Sequence, residues 1–348
     1  MKKIYAGMSG GVDSSLTAAL LSEQGYEVTG VYMKNWTQDF PGFECPWKED
    51  VADAQRVAVQ LGIPFEVFDF EKDYKLRVVD YMVEEYKSGR TPNPDVMCNQ
   101  EIKFKIFLDT AIENGADGIA TGHYCRTENG QLLKGIDTNK DQSYFLYRVT
   151  EDALTKSLMP LGGMNKPDVR EAAKKRGLIT ANKPDSQGIC FVGEVGVRDF
   201  LSRYVETSPG PIVDQHGNEI GQHDGAIFYT IGQRQGLGVG GGLPYYVTHK
   251  DMDTNTVYVT TDVGDDKLWT EQFTMRDVHW INEAPEMTMS WEIRMRYRAK
   301  LVKCRLEQVK DGVRVMLDDP ERAIAPGQSA VVYDGDRVVG GGIISDIT

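Results

Sequence analysis

The chain has 348 residues, a length that predicts two or three domains. Hydrophobic residues make up 41% of the sequence, which supports buried cores and excludes an intrinsically disordered protein. The net charge of −13 argues against general nucleic-acid binding, although a local basic face can still bind RNA. No apolar run is long enough to cross a membrane, the first residues lead directly into a strand, and the five cysteines are widely spaced. We therefore expect a cytoplasmic protein with no signal peptide, no disulfide framework and no membrane partner.

A glycine-rich turn follows the first predicted strand. Residues 4–6 predict that strand, residues 7–15 read GMSGGVDSS, and residues 16–21 predict a helix. Main-chain N–H groups in such a turn, together with a helix N-terminus, form a site suited to phosphate. The turn has neither the ending of a Walker A loop nor the glycine spacing of a dinucleotide fingerprint. It resembles the pyrophosphate (PP) loop of the N-type ATP pyrophosphatases; the alternative is a plain Gly-Gly turn.

The first half of the chain alternates strands and helices. Further strands are predicted at 27–32, 65–70 and 118–121, and helices at 49–61, 74–86 and 102–112. This alternation predicts an α/β fold with a parallel sheet, and a ligand at the carboxyl ends of its strands. Asn129-Gly130 predicts a hairpin turn between 124–127 and 131–134, and helices follow at 151–157, 168–176 and 197–204.

Beyond about residue 208, short alternating segments and glycines replace the long helices. We predict three domains. They are an ATP-binding catalytic domain at 1–206 with a helical extension from about 150, a small β domain at 207–270 and a C-terminal β-barrel domain at 271–348.

Two cysteines lie in loops that contain proline or glycine. The segment 91–99 reads TPNPDVMCN, and its prolines predict an extended chain with a helix starting after Cys98 and Asn99 as a candidate cap. A helix N-terminus would lower the pKa of the Cys98 thiol, and Asp95 beside it could act as an acid or base or hold a substrate. The second segment, KPDSQGICF at 183–191, contains Cys190. Either cysteine could instead be a buried structural residue, or the two could meet across one cleft.

Seven motifs occur in one order along the chain and make a resemblance specific. They read SGGVDS (9–14), TPNPDVMCN (91–99), TGHY (121–124), KDQSYF (140–145), SQGICF (186–191), YTIGQRQGLG (229–238) and APGQSA (325–330). Together they resemble those of the tRNA-specific 2-thiouridylases over essentially the whole chain. The resemblance implies a PP-loop ATP pyrophosphatase domain that uses ATP and Mg²⁺, with the Mg²⁺ near Asp13.

The resemblance also implies roles for individual residues. Cys190 would carry a persulfide, and Cys98 would close a disulfide with it. The ATP contacts would be Gly7, Met8, Ser9, Gly10, Gly11, Val12, Asp13 and Ser14, with Met33 and Gly122 at the adenosine. The target uracil would meet Asn93, Pro94 and Asp95, and the tRNA contacts would be His123, Lys140, Asp141, Gln142, Arg296, Tyr297 and Gln328.

A basic row near the C-terminus has its own alternating pattern. Arg294, Arg296, Arg298 and Lys300 occupy alternate positions, so a strand would place all four on one face and the aromatic Tyr297 between them on the other. Such a face suits an RNA backbone, whereas a merely solvated face is the alternative.

The resemblance predicts ATP-dependent 2-thiolation of the wobble uridine in the anticodon arm of tRNA. A cysteine desulfurase or a sulfur-relay protein would be the sulfur donor. The alternatives are another PP-loop enzyme, such as an amidotransferase synthetase or a lysidine synthetase, and an ATP-dependent RNA-binding regulator without chemistry.

Overall fold

A parallel five-stranded sheet forms the centre of the first domain, as the α/β alternation predicts. The computed structural model describes residues 1–38, 45, 47–185, 196–240 and 242–347. The strands lie in the order Phe65–Asp69, Glu27–Lys34, Lys3–Gly7, Gly118–Ala120 and Ser157–Leu158. Buried apolar residues fill both faces of the central strand, so helices must cover the sheet on both sides.

The helices of this domain agree with the apolar spacing in most positions. They are Val12–Glu23, Trp47–Leu61, a continuous helix at 71–87, a continuous helix at 94–113, Glu151–Thr155, Lys166–Lys175 and Gly196–Leu201. Helix 71–87 contains a π-helical stretch at Lys75–Val79, and helix 94–113 contains one at Cys98–Ile106.

The start of helix 94–113 corrects one expectation. The extended chain predicted through Cys98 is wrong, because Pro94 is the first residue of the helix and Asn93, not Asn99, is its cap. The Asn93 side-chain oxygen accepts a hydrogen bond from the N–H of Val96 at 3.4 Å. Proline is compatible with a first helical turn because that turn needs no N–H from it.

The predicted hairpin is present, with strands Cys125–Glu128 and Gln131–Lys134 joined through Asn129 and Gly130, both at positive φ. It does not belong to the parallel sheet. Leu132 and Leu133 pair with Val338 and Arg337, so the hairpin extends the C-terminal sheet to eight strands.

Two β units follow the helical region. The middle unit is a four-stranded sheet in the order Tyr246–Asp251, Thr256–Thr260, Gly210–Val213 and Glu219–His223. The last unit is a closed barrel of Trp269–Trp280, Ser290–Arg294, Val302–Val309, Gly312–Arg322, Ser329–Asp334 and Arg337–Ile347. Its first strand closes the barrel because it pairs with both Gly312–Arg322 and Arg337–Ile347. The exact domain boundaries stay predictions.

The basic row does not form one strand face, so that expectation is wrong. The strand ends at Arg294, and the chain turns through Arg298, which has a φ of 62°. Arg294 lies 3.5 Å from the carboxylate of buried Asp141, and Lys300 pairs with Glu321 at 2.8 Å. The alternation failed as evidence because a turn, not a strand, presents these side chains.

A buried carboxylate joins the barrel to the first domain. Glu85 on helix 71–87 accepts hydrogen bonds from Arg90 and from Arg276 of the barrel, all between 2.8 and 3.0 Å. Burial raises the pKa of Glu85, but the two guanidinium groups outweigh it and hold the pKa below its usual value. The charge of Glu85 is therefore part of the domain interface.

We predict that Glu85→Gln lowers the free energy of unfolding by about 2 kcal/mol, because two guanidinium groups lose their charged partner. The matched control is Glu84→Gln, one residue earlier, whose exposed side chain pairs with Lys87. That change should cost less than about 0.5 kcal/mol. Urea unfolding of both variants measures the difference, and equal midpoints would contradict the role assigned to Glu85.

Candidate active site

The glycine-rich turn, the anion site predicted from the sequence, lies at the carboxyl end of the central strand. Gly10 has a φ of 74°, and a Cβ there would lie 2.4 Å from the main-chain oxygen of Asp50. Ser14 Oγ accepts from the N–H of Ser9 at 3.1 Å and so closes the turn. The cap residue of helix Val12–Glu23 is Gly11, and within the described ranges no side-chain hydrogen bond caps this helix, so its first N–H groups could bind a ligand.

Asp13 in the first helical turn is already held by two side chains. Lys166 Nζ lies 2.7 and 2.8 Å from its two carboxylate oxygens, and the Tyr124 hydroxyl donates to Oδ1 at 2.7 Å. Burial and the Asp13 carboxylate raise the pKa of Tyr124, so this hydroxyl stays protonated and donates. Sequence reasoning missed both partners.

Lys166 also connects Asp13 to a second carboxylate. It lies 2.8 Å from Asp185, which further pairs with Lys140 and Arg170, each at 2.6 Å. Burial opposes ionisation of Asp185, but the hydrogen bonds from Lys140 and Lys166 lower its pKa to about 2. The segment with Cys190 follows directly, at 186–195, and lies outside the described residues.

One cavity of about 450 Å³ joins this anion site to helix 94–113. The turn contributes Gly7, Met8, Ser9, Asp13 and Ser14, and helix 94–113 contributes Asp95, Cys98, Asn99 and Lys103. Met33, Gly122, His123, Gln142 and Phe145 complete much of the remaining wall. The cavity thus brings together most of the residues that the sequence predicts for ATP with Asp95 and Cys98, whereas Asn93 and Pro94 are not among its lining residues.

The predicted pKa of Cys98 is wrong in direction. Burial raises the pKa of its thiol, Lys103 opposes the rise and Asp95 adds to it. The helix dipole acts most strongly within the first turn. Cys98 is the fifth residue of its helix, so its thiol lies beyond that turn. Cys98 is therefore a protonated thiol until something in the cavity changes its environment.

Asp95 and His123 are also perturbed by burial. Burial raises the pKa of Asp95, with Lys103 acting in the opposite direction. The pKa of His123 falls well below 6.5 because of burial and, secondarily, Lys103, so the imidazole is neutral. Its Nδ1 lies 2.8 Å from Thr121 Oγ1.

Lys103 is a cavity residue that sequence reasoning missed. In the π-helical stretch, hydrogen bonds join residues five apart, which brings Lys103 to the same side of the helix as Cys98. Among the residues that the structure describes, no carboxylate lies within ion-pair distance of Lys103. A helical pattern with 3.6 residues per turn gives no signal for this placement.

The candidate tRNA residues lie around this cavity and at the barrel interface. Lys140 pairs with Asp185, and the buried Asp141 carboxylate accepts from the N–H groups of Gly135 and Ser143. Gln142 accepts from the Tyr124 N–H at 3.0 Å. Their contacts with tRNA stay predictions.

The candidate tRNA residues of the barrel brace the cavity from outside. Arg296 donates to the Ala323 carbonyl, and the Tyr297 ring lies 4.4 Å from that of Phe145. Gln328 donates to the Thr91 carbonyl at 2.7 Å and so supports the loop before Asn93. The Tyr297 contact connects the barrel to the cavity wall and the Gln328 contact connects it to the loop before Asn93, whereas the Arg296 contact stays within the C-terminal unit.

Neither a resident metal cluster nor a membrane span is visible in the described ranges. No group of three or more His, Cys, Asp or Glu side chains there could hold a metal ion. None of the helices in those ranges combines the length and apolar character needed to cross a membrane.

Comparison with known proteins assigns the family. A relative in Pseudomonas savastanoi pv. phaseolicola, named tRNA-specific 2-thiouridylase MnmA, is 47% identical over 99% of this chain and 94% of its own. Relatives of the same name in Enterococcus faecalis and Listeria monocytogenes are 46% and 47% identical, over 98% and 99% of this chain and 95% of their own. The chain belongs to the tRNA-specific 2-thiouridylase family.

Three family models match this 2-thiouridylase family member in succession. They are a tRNA methyl transferase HUP domain at residues 2–194, a tRNA methyl transferase PRC-barrel domain at 198–261 and an aminomethyltransferase beta-barrel domain at 270–344. The parallel sheet, small β unit and closed barrel follow the same order, which confirms the predicted fold class.

We predict that Lys103→Met slows alkylation of Cys98 at each pH below the pKa of its thiol. Loss of the nearby cation removes the one charge that lowers this pKa, so less thiolate is present. Mass spectrometry of the Cys98 peptide after timed iodoacetamide exposure measures the rate. Lys105→Met is the matched control, since Lys105 is exposed and pairs with Glu101. An identical pH dependence in both variants would contradict the influence of Lys103.

Proposed function

We propose that this protein replaces the 2-oxygen of the wobble uridine of tRNA with sulfur, in an ATP-dependent reaction. The observation that carries the proposal is a shared cavity. Its wall contains both the first turn of helix Val12–Glu23, which has no side-chain cap, and Cys98. The relatives named tRNA-specific 2-thiouridylase support the same substrate and product. The enzyme would act in the cytoplasm, with its tRNA.

ATP would lie with its phosphates on the turn from Gly7 to Ser14 and its adenosine near Met33 and Gly122. The close approach at Gly122 supports this placement, since a Cβ there would be 3.0 Å from the Ser14 nitrogen. Asp13, within this turn, is the carboxylate that would share Mg²⁺ with phosphate oxygens. When bound, Mg²⁺ would offset the negative charge of the phosphates.

The reaction requires activation of both the oxygen and the sulfur. The uracil 2-oxygen attacks the α-phosphorus of ATP, and pyrophosphate leaves. Sulfur from the Cys190 persulfide then bonds to C2 as the C2–O bond breaks, and AMP leaves with that oxygen. The base must first leave its stack to reach the buried cavity, where Asn93, Pro94 and Asp95 would meet it.

Cys98 would complete sulfur transfer by attacking the Cys190 sulfur. A Cys98–Cys190 disulfide forms as the bond between the Cys190 sulfur and the outer sulfur breaks. The outer sulfur leaves Cys190 either as hydrosulfide, which then attacks C2, or already bonded to C2, in which case it stays on the base. An external thiol later reduces the disulfide. Asp95 lies three residues before Cys98 in the same helix and could take the thiol proton, while Lys103 would stabilise the thiolate.

The tRNA would approach over the cavity mouth and the barrel. His123, Lys140, Asp141, Gln142, Arg296, Tyr297 and Gln328 are the proposed contacts with the anticodon arm. A net charge of −13 would weaken non-specific association with other RNA. The persulfide requires a separate donor, such as a cysteine desulfurase or a sulfur-relay protein.

The Cys98 thiol in the wall of the same cavity as the glycine-rich turn favours sulfur transfer over the other reactions. Methyl transfer, which the names of two family models suggest, has no use for a phosphate-binding turn beside a buried thiol. Amidotransferase and lysidine synthetases need ATP activation but not Cys98, and a non-catalytic RNA-binding regulator would release no pyrophosphate.

We predict that the protein, given ATP, substrate tRNA and a persulfide donor, yields AMP, pyrophosphate and 2-thiouridine. Cys98→Ala should lower thiolation by several orders of magnitude and still bind ATP and tRNA. Cys304→Ala is the matched control, because Cys304 is a buried cysteine in the barrel with its pKa raised to about 12. Nucleoside mass spectrometry and nucleotide chromatography measure the products. Release of ADP and orthophosphate, or full thiolation by Cys98→Ala, would overturn the proposal.

A further inference from the structure

A buried amide in the cavity wall has an unused hydrogen-bond acceptor. Asn99 is 3% exposed, lies next to Cys98 and forms part of the cavity wall. Its Oδ1 is buried and has no hydrogen-bond partner in the part of the chain that the structure describes. A buried carbonyl oxygen without a partner costs about 1–3 kcal/mol, so a ligand that supplies a donor would recover this free energy.

The orientation of the Asn99 amide follows from its other contact. Asn99 Nδ2 donates to the main-chain carbonyl of Phe145 at 3.3 Å. That carbonyl can only accept a hydrogen bond, so the NH₂ group must face it and the oxygen must be the atom left over. A hydrogen-bond donor, not an acceptor, would therefore satisfy the Asn99 oxygen.

We propose that Asn99 Oδ1 accepts the N3–H of the target uracil and thereby selects uracil over cytosine. The inference rests on the proposed function. Uracil carries a hydrogen on N3 between its two carbonyl groups, whereas cytosine has a bare acceptor nitrogen there. A cytosine ring in the same position would place its N3 acceptor against the Asn99 oxygen, also an acceptor. Two buried acceptors without a donor between them would strongly disfavour cytosine.

The surroundings of Asn99 suit a planar base. Phe145, whose carbonyl fixes the Asn99 amide, also forms part of the cavity wall, and Tyr297 packs behind its ring. Flipped bases are held in this way, by stacking on an aromatic ring and by hydrogen bonds to the Watson–Crick edge.

The adenine of ATP is the other candidate donor, through its amino group. A second buried acceptor lies close to Met33, the residue proposed to contact adenosine. This acceptor is Asn35 Oδ1, which also lacks a partner within the described ranges and belongs to a residue of the cavity wall. Asn99 instead adjoins Cys98, the thiol that the proposed mechanism joins to the sulfur-carrying Cys190, so the target base would lie nearer to Asn99. We therefore assign the Asn35 oxygen to the adenine amino group and the Asn99 oxygen to the target uracil.

The test combines the Asn99→Ala substitution in the protein with a methyl group on N3 of the target uridine in the tRNA. Pre-steady-state AMP formation is measured with tRNA that carries uridine or 3-methyluridine at the target position. The wild-type protein should prefer uridine, and Asn99→Ala should reduce that preference about tenfold or more, because the deleted acceptor no longer distinguishes the two bases. Asn99→Ser, which keeps a polar group too short to make this contact, should behave in the same way.

Each outcome decides between defined readings. An unchanged preference in folded Asn99→Ala and Asn99→Ser proteins would overturn the inference. The inference would also be overturned if these variants lost the preference for ATP over purine riboside triphosphate. That analogue lacks the adenine amino group, so Asn99 would then accept a hydrogen bond from adenine. Asn114→Ala, at the exposed end of the same helix, should keep both preferences. If the wild-type protein forms no 2-thiouridine at all, the proposed function fails instead.

Discussion

Two helices that begin near the carboxyl edge of one parallel sheet line the cavity on which the rest of the candidate site depends. The first presents uncapped N–H groups beside a turn in which Gly10 allows no side chain. The other, helix 94–113, presents Asp95, Cys98, Asn99 and Lys103 to the same cavity. A polyanion and a thiol can therefore share one cavity of about 450 Å³, which neither helix could form alone.

Burial determines the resting state of the cavity. It keeps the Cys98 thiol protonated and His123 neutral, so the apolar surroundings protect the thiol from unspecific oxidation. Lys166 balances the charge of Asp13, and Asp185 shares that lysine. An incoming nucleotide with its cation would compete for Asp13, and through the shared Lys166 it would also change the charge around Asp185. Because Asp185 directly precedes the segment with Cys190, this network ends where the segment that we propose to carry sulfur begins.

Local sequence signals predicted local structure well. The strand, turn and helix around Gly10, the Asn129-Gly130 hairpin and the α/β order are each set by residues close in sequence. The partners of Asp13 lie 111 and 153 residues away, and no local pattern indicates them. Likewise, the hairpin pairs with a barrel strand from the other end of the chain. The basic row looked like a strand because alternation alone does not reveal the turn at Arg298. Lys103 was missed because π-helical geometry, not the usual helical period, brings it beside Cys98.

The most direct test of the account follows the uracil oxygen. Substrate tRNA is prepared with ¹⁸O at the 2-position of the target uridine and incubated with the protein, ATP and a persulfide donor. If the 2-oxygen attacks the α-phosphorus and leaves with AMP, one ¹⁸O atom appears in the phosphate of AMP for each 2-thiouridine formed. Unlabelled AMP, or ¹⁸O in pyrophosphate or orthophosphate, would contradict an adenylated uracil as the species that receives sulfur in this cavity.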